Sequence, residues 1–197
     1  MKKNFSMLIM LFIAIASMAQ TSAPSPSNLL KLIDGCGNNI NMYSDEEISK
    51  YGMENLLYHY FNNNEGIIFV TYVFGKNVKV EDNSNNGDID LKFSSIGTDA
   101  VAIMKWADTS YGAAIYFPLE SAAKAYWREI EKHGYYQTDG TYDGKNYTNY
   151  WLSIKSIGEG AHKVQSFDEM EDVIYEVEKP KLDNRTGWYI IDLPGVQ

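Results

Sequence analysis

Cysteine is nearly absent from this 197-residue chain: Cys36 stands alone, so no internal disulfide can form and no cysteine cluster can bind zinc. Histidine is almost as scarce. The three present, His59, His133 and His162, are far apart, and none forms an HExxH-type pair. Positive charge is also short, with 17 Lys and Arg against 26 Asp and Glu. That balance argues against nucleic acid or an anionic membrane surface as the main partner, because both require a cationic face. There is no GxSxG elbow, no GxxxxGK phosphate loop and no GxGxxG turn, so the common sequence signals for a serine hydrolase, a phosphate loop and a dinucleotide site are missing. No cofactor is expected.

The only long apolar run, Phe5 to Ala16, follows Lys2 and Lys3 and precedes the small residues Ser17 and Ala19. It is shorter than the ~20 residues a membrane span needs, and reads as the core of a signal peptide covering 1–19, cleaved near Ala19/Gln20. The pattern resembles a bacterial export signal, a resemblance confined to about twenty residues. It implies a periplasmic or secreted product without a membrane span. Residues 20–27, rich in Ser, Pro and Ala, read as a flexible tether. The remaining 28–197 are enough for one hydrophobic core without disulfide staples. Without its leader the chain carries 15 basic and 26 acidic side chains, a formal charge of −11.

Hydrophobic periodicity then sets the elements. Ser44-Asp45-Glu46-Glu47 is a capping box, and Ile48, Met53, Leu56, Leu57, Tyr60 and Phe61 follow at helical spacing, interrupted by Gly52. A helix is expected there. Ile67 to Phe74 is continuously apolar and β-branched or aromatic, the pattern of a central strand covered on both faces. Val78/Val80 and Ile89/Leu91/Phe93 alternate with charges as two half-buried strands, and Ala100–Trp106 with Tyr111–Phe117 read as an antiparallel pair. Pro118 opens a helix with a stripe of Leu119, Ala122, Ala123, Tyr126, Trp127 and Ile130 that stops at Gly134. Tyr135–Thr138 and Tyr147–Ile157 pair around the turn signals Asp139-Gly140 and Asp143-Gly144. A second capping box at Ser166 starts a helix over about 167–178, with 173–177 equally readable as strand, and Trp188–Leu193 is a last strand. The fold class is α+β: a single domain, mainly antiparallel sheet, with two or three helices packed on one face.

Four places invite chemistry. The stretch DNSNNGDID puts Asp82, Ser84, Asn86 and Asp90 at calcium-loop spacing, but Phe93 occupies the position of the bidentate carboxylate, and Asn86-Gly87 is a strong hairpin turn. The turn is the expected role, with weak calcium binding as the alternative. Tyr135, Tyr142, Tyr147 and Trp151 form an aromatic, hydroxyl-rich segment suited to stacking on sugar rings or anchoring a protein partner, although aromatic pairs also simply stabilise sheets. If Tyr150 and Leu152 face the core, Trp151 faces out. Cys36 with a histidine would form a nucleophile only if an imidazole comes within hydrogen-bond reach, and a buried thiol is the plainer reading. Acidic runs at Asp45 and Asp168 sit at helix starts, where negative charge is favoured.

The functional expectation is an exported, non-catalytic binding or interaction module contacting a glycan or an envelope protein through the aromatic sheet. The alternative is a secreted hydrolase whose site is scattered through the chain.

Overall fold

The computed structural model describes residues 23–38, 43–85, 88–95, 99–107, 110–133, 136–153 and 174–193. Helix α1 (Pro26–Asn38) begins inside the Ser/Pro-rich segment. The Ser25 hydroxyl accepts from the Asn28 amide at 3.3 Å and its carbonyl from Leu29 at 2.9 Å, while Pro26 takes the first helical position, where a missing N–H costs nothing. Leu29, Leu30, Leu32 and Ile33 are then buried.

The capping box at Ser44 forms as expected, with the Glu47 amide donating to Ser44 Oγ at 3.3 Å and the Ser44 amide to Glu47 Oε2 at 2.8 Å. Those bonds hold the Glu47 carboxyl below its usual range. Helix α2 (Asp45–Ser49) nevertheless lasts only five residues, and the helix expected to continue towards Phe61 is replaced by strand β1 (Glu54–Asn62). Gly52 sits at φ +76°, a left-handed conformation that stops a helix. Beyond it, the Leu- and aromatic-rich run pairs along its length with β2 (Ile68–Gly75), and that ladder outweighs the helical spacing.

The remaining elements are β3 (Val78–Asp82), β4 (Leu91–Ser95), β5 (Val101–Ala107), β6 (Ser110–Phe117), α3 (Glu120–His133), β7 (Tyr136–Tyr142), β8 (Lys145–Ser153), β9 (Ile174–Val177), β10 (Lys181–Asp183) and β11 (Trp188–Leu193). The main sheet has six strands in the order β1-β2-β5-β6-β11-β10, every neighbouring pair antiparallel. This is the α+β domain expected.

Strand alternation gives the sheet two apolar faces. On one, Tyr72, Phe74, Met104, Ile115, Phe117 and Ile191 meet α1 and the Ala122/Ala123/Trp127/Ile130 stripe of α3. On the other, Val73, Val101, Ile103, Trp188 and Ile190 lie under the β3–β4 hairpin through Val78, Val80, Leu91 and Phe93. Leu119, expected on the α3 stripe, precedes the helix and is 42% exposed; its carbonyl accepts the amides of Ala122 and Ala123 instead.

A second sheet, β7-β8-β9, adjoins the helical side, where Leu152 and Val177 are buried and the Tyr150 ring meets Trp127 edge-on at 5.5 Å. Only one of its two expected turns forms. Asp143 and Gly144 take φ +51° and +71° between β7 and β8, whereas Asp139-Gly140 stays inside β7 opposite Thr148 and Tyr147. Asp139 is held there by the Thr148 hydroxyl, which donates at 2.7 Å. Of the helix expected over about 167–178, residues 174–177 form strand β9 instead, the alternative reading of 173–177, paired along β8, and 167–173 lie outside the described residues.

Tyr126 is buried on α3 against Phe117, and its hydroxyl has no partner among the described residues. A buried hydroxyl without a bond costs more than it returns. Tyr126→Phe should therefore raise unfolding stability by about 1 kcal/mol, measured by urea denaturation.

Candidate ligand-binding groove

Strand β6 reads Ser-Tyr-Gly-Ala-Ala-Ile-Tyr-Phe, and alternation gives Gly112, Ala114 and Tyr116 to the face away from the helices. Its neighbours carry longer side chains. On β5, Lys105 lies opposite Gly112 and Ile103 opposite Ala114; on β11, Asp192 lies opposite Ala114 and Ile190 opposite Tyr116. Two small residues between longer ones leave a trough along β6. The β3–β4 hairpin covers only part of this face and forms one wall with Leu91 and Phe93, whose ring meets Tyr116 edge-on at 5.6 Å. The β10–β11 turn supplies a second wall with Asp183 and Arg185. Adjoining hollows of about 200, 410 and 440 Å³ share Tyr116, a size that suits a small ligand.

The charges around this trough are arranged unusually. Asp192 is half-buried, and burial, reinforced by Glu178, raises its carboxyl above the ordinary range, with Lys181 and Lys105 offsetting only part. Burial likewise raises the Tyr116 hydroxyl, with Asp192 and Asp183 adding to the effect and Arg185 opposing it. Asp183 is satisfied, accepting from the Arg185 amide at 2.9 Å and from its Nε at 3.4 Å, and Lys181 pairs with Glu178. Lys105 and Asp192, by contrast, make no side-chain hydrogen bond or ion pair among the described residues, with each other included. A half-buried carboxyl in a cleft with a shifted protonation equilibrium is a recurrent mark of a functional site.

The residues singled out from sequence fall elsewhere. Tyr135 lies outside the described residues, and Tyr142 ends β7 with its side chain outside them. Tyr147 and Trp151 are both on β8 at alternate positions and so share a face, Tyr147 44% exposed and Trp151 half-buried. Tyr147 lies over Gly140, where a Cβ would come within 2.3 Å of its hydroxyl oxygen. Tyr150 and Leu152 point inward as alternation requires.

In the calcium-spaced loop the chain reverses between Asn85 and Asp88, whose backbones exchange bonds of 3.0 and 2.9 Å, and Asn86 is outside the described residues. Asp82 accepts from the Ser84 amide at 3.0 Å and meets His59 Nε2 at 2.7 Å, while Ser84 Oγ accepts from the Asp90 amide at 3.1 Å. These contacts hold Asp82 at about 2 and tie the hairpin to β1. Among the described residues no three His, Cys, Asp or Glu side chains gather as a metal site. Cys36 lies in α1 and His133 ends α3, both with side chains outside the described residues, as is the whole of His162; the Cys36–histidine pairing therefore lies outside them too.

Sequence reasoning missed Lys105, Tyr116 and Asp192. A signal was present: AIMKWA and YIIDL each place one charge inside an otherwise apolar strand, and GAA between two aromatic residues is a run of minimal side chains. Compared with known proteins, this chain matches no family model, no curated protein and no solved structure.

Two pH-linked outcomes follow. Asp192 has a folded-state affinity for its proton above the unfolded value near 3.8, so its ionisation opposes folding increasingly as pH rises through the folded value. Asp192→Asn should stabilise the domain at neutral pH, with the gain closing as pH falls towards 3.8, as read from denaturation curves across pH. Asp82 is the opposite case, its carboxyl falling from 3.8 to about 2 on folding. Asp82→Asn should cost up to about 1 kcal/mol above the unfolded value, since the pair is partly exposed, and the cost should vanish as pH falls through the folded one.

Proposed function

We propose that this chain is an exported, non-catalytic binding module whose small ligand lies in the trough along β6. The observation that carries this reading is the arrangement of Lys105 and Asp192: charges of opposite sign, without a side-chain partner among the described residues, on the two strands flanking Gly112 and Ala114. Groups that act together on one bond converge on a point. These two stand on either side of a hollow and are suited to holding two ends of a molecule. The apolar floor of Ile103, Ala114 and the Tyr116 ring supplies the remainder of a small-molecule site. Export rests on residues 1–19, and among the described residues no helix is long and apolar enough to cross a membrane.

A second reading, contact with a glycan or an envelope protein through Tyr147 and Trp151, is favoured by the exposure of the Tyr147 ring on a sheet face turned away from the core.

The test is thermal unfolding of the chain from Gln20 onward against a panel of short peptides, amino acids and oligosaccharides. A ligand of the native state raises the midpoint with concentration. Gly112→Phe should fill the trough and remove that rise while retaining the midpoint of the free protein within a few degrees, about 1 kcal/mol of stability. A rise that survives Gly112→Phe but disappears in Trp151→Ala would transfer the function to the aromatic face.

A further inference from the structure

Resting on the reading of the groove as a ligand site, we infer that its ligand is a short zwitterionic peptide of two or three residues, with its free ammonium on Asp192 and its free carboxylate on Lys105. Span decides the length. Lys105 and Asp192 stand on strands either side of β6, about two strand spacings or ~9.6 Å apart, and Lys105 is offset along the strands by the step from Ala114 to Gly112. A free amino acid, with both charges on one carbon, spans less of that distance than a short extended chain. An extended chain of two or three residues, at ~3.3–3.6 Å each, places its termini at the required separation once the lysine arm bends inward.

Charge decides the termini. A half-buried carboxylate is costly unless paired, and a single ammonium is its simplest complement. In the hollow that Asp192 and Lys105 line together, Lys105 is the one cation among the described residues, which suits a singly charged carboxylate, while Lys92 and Arg185 line the adjoining hollow. Ile103, Ala114 and Tyr116 lie between the two charges and offer an apolar surface to the peptide's middle. Each part of the trough then meets its complement.

The experiment is amide-resolved NMR titration of the mature chain with the tripeptide Ala-Val-Ala, its N-acetylated form and its C-terminal amide. The free tripeptide should shift the Gly112 and Ala114 amide signals saturably, and each blocked form should bind at least about tenfold more weakly. Asp192→Asn should abolish the preference for a free amino terminus and keep that for a free carboxylate; Lys105→Met should do the converse. Equal binding of free and blocked peptides at those amides would overturn the zwitterion assignment while leaving a ligand groove. The same assignment fails if no peptide moves the signals but another member of the ligand panel does. If nothing moves them, the groove reading falls as well.

Discussion

Everything in this molecule depends on the need to bury both faces of one antiparallel sheet. Strand β2 is buried from Val70 to Gly75 without a break, so neither side of the sheet's middle can face water. The chain meets the demand with different means on each side. Helices α1 and α3 cover one face completely enough that Phe74, Ile115 and Phe117 are sealed. Among the described residues the other receives a two-stranded hairpin, held at its margin by His59 and Asp82. A hairpin is narrower than a pair of helices, and the part of that face it leaves uncovered among the described residues becomes the groove.

The groove is also where the sequence departs from what stability alone would choose. An apolar pair in place of Lys105 and Asp192 would extend the hydrophobic surface and let the hairpin spread over it. Instead, β5 and β11 each interrupt an apolar strand with a charge, and β6 withdraws its side chains between them. Local rules broken together at one place, with no partner group for either charge among the described residues, are characteristic of sites kept for something outside the fold. The contrast with Asp82 and Asp183 is instructive. Asp82 is satisfied by Ser84 in its own turn and by His59 on β1, Asp183 by Arg185 in its turn, and both read as architecture.

Much of the fold was legible before any coordinates. The capping box at Ser44, the buried strand at Ile68–Gly75, the β5–β6 pair and the Tyr126/Trp127 stripe of α3 all express one-dimensional periodicities that a neighbouring element only has to accept. Where the reading went astray, two local patterns competed and a distant partner chose. Residues 54–62 satisfy helical spacing and strand composition alike, and pairing with β2 settled the matter. Asp139-Gly140 and Asp143-Gly144 are equal as turn signals. The packing of Tyr147 over Gly140 keeps the first within a strand. Of the aromatic candidates, Tyr147 and Trp151 stand on one face as alternation requires, while the groove between Lys105 and Asp192 draws on three strands that no local pattern links.

By itself, the sequence determined the α+β class, the position of most strands, the capping box at Ser44 and the impossibility of an internal disulfide or cysteine-rich metal chemistry, because each of these follows from composition or from spacing within a dozen residues. Only the tertiary structure decided that Gly112, Lys105 and Asp192 belong together. They come from three strands and are separated by up to 87 positions of chain, about half of the domain, and nothing in local periodicity states that β11 pairs with β6. That register is set by mutual burial of Ile115 with Ile191 on the helical face. Once the sealed side of the sheet is packed, the open side has its charges placed for it.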